Sequence, residues 1–463
     1  MHLQAEWDPG GIRGQIGRGI DRARALRRPV LVTRTVAIAP PEDILAPLER
    51  ARAAGVDTVL WERPADRLAI AGIGAAWSAS AAGPERFREV ADACDALASD
   101  AVAETSGPLF LGGFSFAPEP PATGAWRCFP AARMTVPRVL VVRRENGASL
   151  SLNVLVDVGG DPEDVCRRLA QDLAWLQGGT AERESPQATS YAATPVPSQD
   201  RWKESVANAI SDIRAGHFDK LVLARTCAVR SSRPFDAARI ARRLRQSYPS
   251  CATFWLGCAD SSFVGATPEP LVRLEDRVAH LAAIAGSIAR GTTPGADRAL
   301  ARALMASAKD RHEHALVVRA IGDSIAPLCD RLDVPDAPGV LALANVQHLL
   351  TPITAHLAAR CRLLDLVDRL HPTPAVAGHP RAAALNELRK REGMERGWYA
   401  GPIGWMDFSG NGEVAVAIRS ALLSGSEATL YAGAGVVAGS DPEAELAETR
   451  LKLQPLLSAL MEI

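Results

Sequence analysis

Residues Ala252 to Ile288 read ATFWLGC, ADS, SFVGATPEP, LVRL, ED, RVAHLAAIAGSI, and this stretch decides the fold class. Apolar, aromatic and β-branched runs are cut by short turns at Ala259-Asp260-Ser261 and Glu275-Asp276. Two successive hairpin-like pairs with no helix between their strands call for antiparallel pairing. Upstream, Asp200 to Ala215 has the spacing of an amphipathic helix, and Lys220-Leu221-Val222-Leu223-Ala224 reads as a buried strand. Downstream, Asp297 to about Leu328 has the spacing of one long helix, and Val346 to Leu357 is extended. Leu363 to Leu370 is helical before the break at His371-Pro372-Thr373-Pro374, and Val414–Leu423 and Thr429–Ala434 look like paired strands. A closing helix starts near Asp441-Pro442, with Asp as cap and Pro in the first turn. Before these lie strand-like Val30-Leu31-Val32-Thr33 and Val139-Leu140-Val141-Val142, and a helix opened by Pro84-Glu85-Arg86-Phe87 and running to Leu97. Strands and helices are segregated rather than alternating, which makes the fold α+β with large, mainly antiparallel sheets. Gly179 to Pro197 has a connector composition, dividing the chain into residues 1–178 and 200–463.

The chain has 463 residues, 47% hydrophobic and 23% charged, enough for a large core. Fifty-two Lys+Arg against 53 Asp+Glu leave a formal net charge of -1. Nucleic acid is therefore not an expected partner, although a local pocket can still be cationic. The opening residues Met1 to Asp8 do not read as a signal peptide, and no apolar run is long enough for a bilayer, so no membrane partner is expected. Eight scattered cysteines without a C-x-x-C pair argue for reduced thiols and a cytoplasmic location.

Ionisable residues inside apolar segments concentrate after residue 200. Glu445 and Glu448 stand three residues apart on one helix face, with Lys452 a turn further on. Glu313 sits in Lys309-Asp310-Arg311-His312-Glu313-His314. Carboxylates brought together from two helices suit Mg²⁺, whereas a lone Glu pair is more often a solvated helix face. The i,i+2 spacing of His312 and His314 is not that of a zinc pair on a helix. Lys220 begins an apolar strand, where lysines usually snorkel to water; if it is buried, desolvation favours the neutral amine and it can act as a general base. Glu269 lies in a turn between strands, where glutamates are usually solvated; desolvated, it would keep its proton and act as an acid. Ala285-Gly286-Ser287 and Ala432-Gly433-Ala434-Gly435 read as turns whose N–H groups can approach an anion. Arg419 follows a β-branched run and is costly there unless it binds a carboxylate.

Taken together, these stretches resemble the chorismate-utilising enzymes, a family that includes isochorismate, salicylate, anthranilate and aminodeoxychorismate synthases. The resemblance runs from Phe218-Asp219-Lys220 through Gly265-Ala266-Thr267-Pro268-Glu269, Ala285-Gly286-Ser287 and Lys309 to His314. It continues with Val346-Gln347-His348-Leu349, His371-Pro372-Thr373-Pro374, Tyr399-Ala400-Gly401-Pro402, Val416 to Ser420 and Ala432 to Gly435. It ends on Glu445-x-x-Glu448-Thr449-x-x-Lys452, in the family's order; residues 1–178 match more loosely, through Leu111 to Phe116. The fold this implies is one α/β sandwich of two large sheets, to which the first part supplies structural strands. Departures are Ala289 for a usual proline and Ala377 for a common glycine.

Within the family the match is closest to the isochorismate synthases, isomerases whose product feeds menaquinone, siderophore and salicylate synthesis. Lys220 matches the base that activates water, where anthranilate synthase component I has glutamine and uses ammonia, so no glutaminase subunit is expected. Ala285 stands where aminodeoxychorismate synthases carry a nucleophilic lysine and some salicylate synthases a threonine. The resemblance implies Lys220 as base, Glu269 as acid, and Mg²⁺ on Glu313 and Glu448 with Glu445 assisting. It implies chorismate binding by Tyr399, Arg419, Lys452, His348, Ala285-Gly286-Ser287 and Gly433-Ala434-Gly435. Salicylate synthase, which goes on to eliminate pyruvate, is the nearest alternative.

Overall fold

The computed structural model describes residues 9–103, 107–121, 124–177, 189–359 and 361–461. Its framework is two antiparallel sheets. The larger has 12 strands, in the order 30–38, 147–156, 139–144, 68–73, 58–63, 252–258, 261–267, 420–424, 427–436, 220–231 and 378–379, with 191–196 also on 220–231. The smaller has 10 and runs 329–333, 346–357, 278–289, 270–275, 412–416, 402–407, 109–114, 132–136 and 77–81, with 339–342 on 346–357. Strands from before and after the connector pair directly in both sheets: Thr58–Arg63 with Ala252–Cys258, and Leu109–Phe114 with Pro402–Asp407.

The deciding stretch forms four strands, Ala252–Cys258, Ser261–Thr267, Pro270–Glu275 and Val278–Ala289. Its two hairpins lie in different sheets, so the chain crosses between sheets at Pro268-Glu269. Both strands of the first hairpin are buried along their whole length. Phe254 and Phe263 face a core shared with the second sheet, and Trp255 and Val264 face a core under helices Pro9–Leu26, Leu45–Ala53, Ala237–Ser247 and Pro442–Met461. A sheet covered on both faces needs near-continuous apolar strands, which is why these runs do not alternate.

Three expectations change. The helix expected over Asp297–Leu328 is two helices, Pro294–Ala306 and Ala308–Ile325. Ser307 is extended, and its hydroxyl accepts from the Asp310 N–H at 3.2 Å, an N-cap that competes with helix continuation. The strand expected over Val414–Leu423 is Gly412–Val416 in the smaller sheet and Ser420–Ser424 in the larger, and Arg419 stands at the crossover with φ +51°. The expected connector falls partly on 178–188, outside the described residues, but Tyr191–Val196 is a strand paired with Thr226–Ser231. No described helix is long and apolar enough to cross a membrane.

Close strand approach in the smaller sheet depends on missing side chains. A Cβ at Gly112 would lie 1.9 Å from the backbone oxygen of Arg133 on the neighbouring strand. Gly14, on an exposed helix face, has nothing within 4 Å. Gly112→Ala is expected to destabilise the fold by about 1–3 kcal/mol. Gly14→Ala is expected to stabilise it by about 0.5–1 kcal/mol. Chemical unfolding midpoints that move in opposite directions for the two variants would meet this expectation.

Candidate active site

Lys220 opens the strand Lys220–Ser231 and is fully buried, so the snorkelling alternative is excluded. Its Nζ lies 2.8 Å from Glu313 Oε1, across from the helix Ala308–Ile325. In this pairing the Lys220 nitrogen is engaged by a carboxylate rather than free to meet water. Two more lysine–glutamate pairs adjoin it. Lys309 Nζ donates to Glu445 Oε1 at 2.7 Å, and Lys452 Nζ to Glu448 Oε1 at 2.5 Å and to the Gly433 carbonyl at 2.9 Å.

The cavity behind these pairs is lined by Lys220, Glu269, Ala285-Gly286-Ser287, Glu313, His348, Tyr399, Arg419, Gly433, Gly435, Glu448 and Lys452. Of the residues singled out from the sequence, Glu445 and Ala434 do not line it. Glu445 is buried behind Lys309, and Ala434 alternates away from the cavity along its strand.

The two glycine-rich stretches are not turns. Ala285 and Ser287 flank a bulge inside Val278–Ala289, where Gly286 has φ +76° and a Cβ would meet Asp310 at 3.0 Å. Gly433 and Gly435 lie in the regular strand Glu427–Val436, paired with Ala224 and Val222. Their contribution is space: a Cβ at Gly435 would lie 2.4 Å from Glu313 Oε1 and 3.1 Å from Lys220 Cε. A side chain there would break the Lys220–Glu313 contact.

Glu269 sits at the crossover between sheets, held by its own backbone. Its carbonyl accepts from the Val416 N–H at 3.0 Å, and its N–H donates to Thr267 Oγ1 at 3.2 Å. Burial pushes its carboxyl up to about 7, against the pull of Lys452, Lys220 and Arg419. His348 is pushed down to about 3 by burial and by Arg419 and Lys452, so its imidazole is neutral near pH 7. Its Nδ1 lies 2.9 Å from Ser287 Oγ and 3.3 Å from the Gly286 carbonyl. A carbonyl only accepts, so Nδ1 carries the hydrogen and Nε2 keeps a lone pair. Arg419 is buried, and its guanidinium makes no hydrogen bond or ion pair with any described residue. Such a desolvated cation calls for an anion.

Could the carboxylates hold a divalent cation? As they stand, each is turned toward a lysine, and among the described residues no three His, Cys, Asp or Glu side chains are grouped to bind a metal. Yet Lys309 lies in the field of Glu445, Glu313 and Glu448 together, and Glu445 Oε2 is buried without a hydrogen-bond partner. Burial and the neighbouring Glu448 raise the Glu445 carboxyl, while Lys452 and Lys309 hold Glu448 low against its burial. A set of oxygen donors with an orphaned carboxylate oxygen fits Mg²⁺.

Two participants escaped the sequence reading. Lys309 was read only as part of a motif, although its position four residues before Glu313 marks it as a neighbour on the same helix face. Tyr431 precedes the glycine strand, stacks on Tyr399 at 4.9 Å and accepts from Trp126 Nε1 at 3.0 Å. A tyrosine directly before Ala432-Gly433 was the available signal.

Residues 18–461 match the family model described as chorismate binding enzyme. The salicylate biosynthesis isochorismate synthase of Pseudomonas aeruginosa is 39% identical over 459 residues, covering 98% of this chain and 94% of the relative. The isochorismate synthase MenF of Bacillus subtilis is 34% identical, covering 86% and 87%. Among solved structures, the menaquinone-specific isochorismate synthase MenF of Escherichia coli superposes with a TM-score of 0.80 at 25% identity, covering 96% of this chain and 100% of that one. With the family model spanning nearly its whole length, the chain belongs to the chorismate-binding enzymes.

Proposed function

We propose that the chain is an isomerase that converts chorismate to isochorismate, with Lys220 and Glu269 as its proton-transfer pair. The observation that carries this reading is a single cavity holding both Lys220 and a buried carboxyl, Glu269, that keeps its proton to about pH 7. Lys220 takes a proton from water as the water oxygen bonds to C2. Glu269 gives its proton to the hydroxyl leaving C4, and the ring double bonds shift between the two carbons. The atoms balance as an isomerisation, with one water in and one out. Lys220 ends as ammonium and Glu269 as carboxylate, a state that proton exchange with solvent resets.

Arg419, unpaired and desolvated, binds a substrate carboxylate together with Lys452 and the Tyr399 hydroxyl. His348 Nε2 accepts from the C4 hydroxyl and orients it. Ala285 leaves room beside the bulge and offers no nucleophile, which supports water as the attacking group. Glu313 and Glu448, with Glu445 assisting, would hold Mg²⁺. Bound there, the ion would supply a Lewis-acidic charge for the ring carboxylate and satisfy Glu313 in place of Lys220. The Lys220–Glu313 pair has to part before Lys220 can act as a base, so base function and carboxylate occupancy are linked through one contact.

Glu269→Gln is expected to fold normally and to lose about a hundred- to ten-thousand-fold in turnover. In the parent protein kcat/KM should fall as pH rises through about 7, where Glu269 loses its proton, and this falling limb should vanish in the variant. A variant within a few-fold of the parent, or an unchanged limb, would remove Glu269 as the acid.

Lys220→Gln should abolish isochorismate formation while chorismate binding by calorimetry stays within a few-fold. Product made at a near-parental rate would place the base elsewhere. In the parent, isochorismate should accumulate without salicylate or pyruvate.

Chelation should remove activity, and Glu313→Ala and Glu448→Ala should each weaken Mg²⁺ binding in a direct calorimetric titration. Full turnover in metal-free buffer, or unchanged Mg²⁺ affinity in both variants, would contradict the carboxylate assignment.

A further inference from the structure

A second cavity, of about 440 Å³, lies beside the active site and shares no lining residue with it. Two helices start at its wall, Arg86–Asp100 and Arg381–Arg391, and each begins with an arginine that lines the cavity. Neither helix has a side-chain N-cap. A helix N-terminus is already the positive end of its dipole, so arginine is the disfavoured charge for the first position. Found at both helices, on one cavity, these two arginines leave room for an anion bonded directly to them, since Asp368 on the same wall bonds to neither.

The hydrogen bonding leaves the same gap. Arg86 is 5% exposed, its Nε is buried without a partner, and its other nitrogens reach only the carbonyls of Gly83 at 3.4 Å and Ser115 at 3.3 Å. Arg381 donates to the carbonyls of Arg369 at 2.6 Å and Leu370 at 3.3 Å. Neither guanidinium forms an ion pair with a described residue. Asp368, the acid that acts most strongly on both, bonds to neither. The other two arginines of the wall are already paired, Arg389 with Glu119 at 3.2 Å and Arg396 with Glu392. Asp368, Glu395 and His371 also line the cavity, and most of the remainder is apolar, with Phe87, Phe116, Pro118, Pro120, Leu385 and Leu388 facing the space.

We propose that this cavity is a second small-molecule site, taking a carboxylate carried on an aromatic or similarly flat apolar body. Arg86 and Arg381 bind the carboxylate by charge-assisted hydrogen bonds, and the phenylalanine and proline side chains hold the ring. The volume is ample, since about 150 Å³ accommodates benzene in an apolar cavity. Inorganic anions would meet the arginines but leave the apolar lining unfilled. The site is independent of the reaction assigned above: Arg396, whose guanidinium lies 4.1 Å from the Phe116 ring centroid and holds the Val376 carbonyl at 2.9 Å, walls one cavity off from the other.

The test uses the full chain carrying Arg419→Gln, which removes the unpaired guanidinium of the active site. Calorimetric titration with benzoate should show one site. Benzyl alcohol, which has the ring without the charge, and inorganic phosphate, which has charge without the ring, should each bind at least about tenfold more weakly. Adding Arg86→Gln or Arg381→Gln should weaken benzoate by at least about tenfold, the loss expected for one hydrogen bond to a charged group. If buried Arg86 cannot be replaced without unfolding, Arg381→Gln, at a half-buried position, carries the test alone. Absence of benzoate binding at millimolar concentration, or binding indifferent to Arg381→Gln, would overturn the proposal. Phosphate bound as tightly as benzoate would overturn the ligand class.

Discussion

Three carboxylates within one small region, two buried and one partly buried, are the constraint around which this molecule is arranged. Glu313 arrives on one helix and Glu445 and Glu448 on another, and each is met by its own lysine: Lys220, Lys309 and Lys452. Without those partners the like charges would repel in a low-dielectric setting, and at least one carboxylate would have to take up a proton. The effect is visible at Glu445, whose carboxyl is raised by burial and by Glu448 even with Lys309 in place. Charge density of this kind is costly for a core and suits the proposed grip on a dicarboxylate through a divalent cation. Because Lys220 is both the partner of Glu313 and the proposed base, electrostatic balance and proton transfer would be the same contact seen in two states.

The sheets exist to bring these groups together. Lys220 and the Gly433–Gly435 strand come from the larger sheet, while the Gly286 bulge and His348 come from the smaller. Glu269 and Arg419 sit at two of the places where the chain passes from one sheet to the other. Each backbone is held by the strand that leads into the other crossover: Ala266 donates to the Arg419 carbonyl and Val416 to that of Glu269. The proposed acid and the proposed carboxylate-binding arginine are therefore fixed by the crossovers rather than by flexible loops, an arrangement that holds reacting groups in place without reorganisation. Absent side chains matter as much, since Gly435 leaves the gap through which Lys220 and Glu313 touch.

Much of this was readable because it is local. The hairpins of Ala252–Ile288, the strand at Lys220, the helix Leu363–Leu370 and the cap at Asp441 each announce themselves within a few residues. The lysine, the glutamates and the arginine of the site stand in short motifs whose family resemblance assigned them together, and the structure gathers all but Glu445 and Ala434 on one cavity wall. What was missed is non-local or conformational. Nothing within Val414–Leu423 signals that its halves join different sheets, because both are equally apolar, and the left-handed Arg419 that separates them is a residue seldom found there. Ser307 breaks a helix whose apolar spacing runs straight through it, since a cap overrides periodicity. Gly286 reads as a turn from composition but is a bulge, a distinction made by the partner strand Val346–Leu357. The lysine–glutamate pairing could not be read at all, because the carboxylate that meets Lys220 lies ninety-odd positions away in the chain.

The central claim is that water adds at C2 under Lys220 while the C4 hydroxyl departs through Glu269, two events at two carbons. Turnover of chorismate in ¹⁸O-labelled water, with the product analysed by mass spectrometry and carbon NMR, tests it most directly. The account predicts one labelled oxygen per isochorismate, on the C2 hydroxyl. An unlabelled product, with the original hydroxyl carried from C4 to C2, would contradict it.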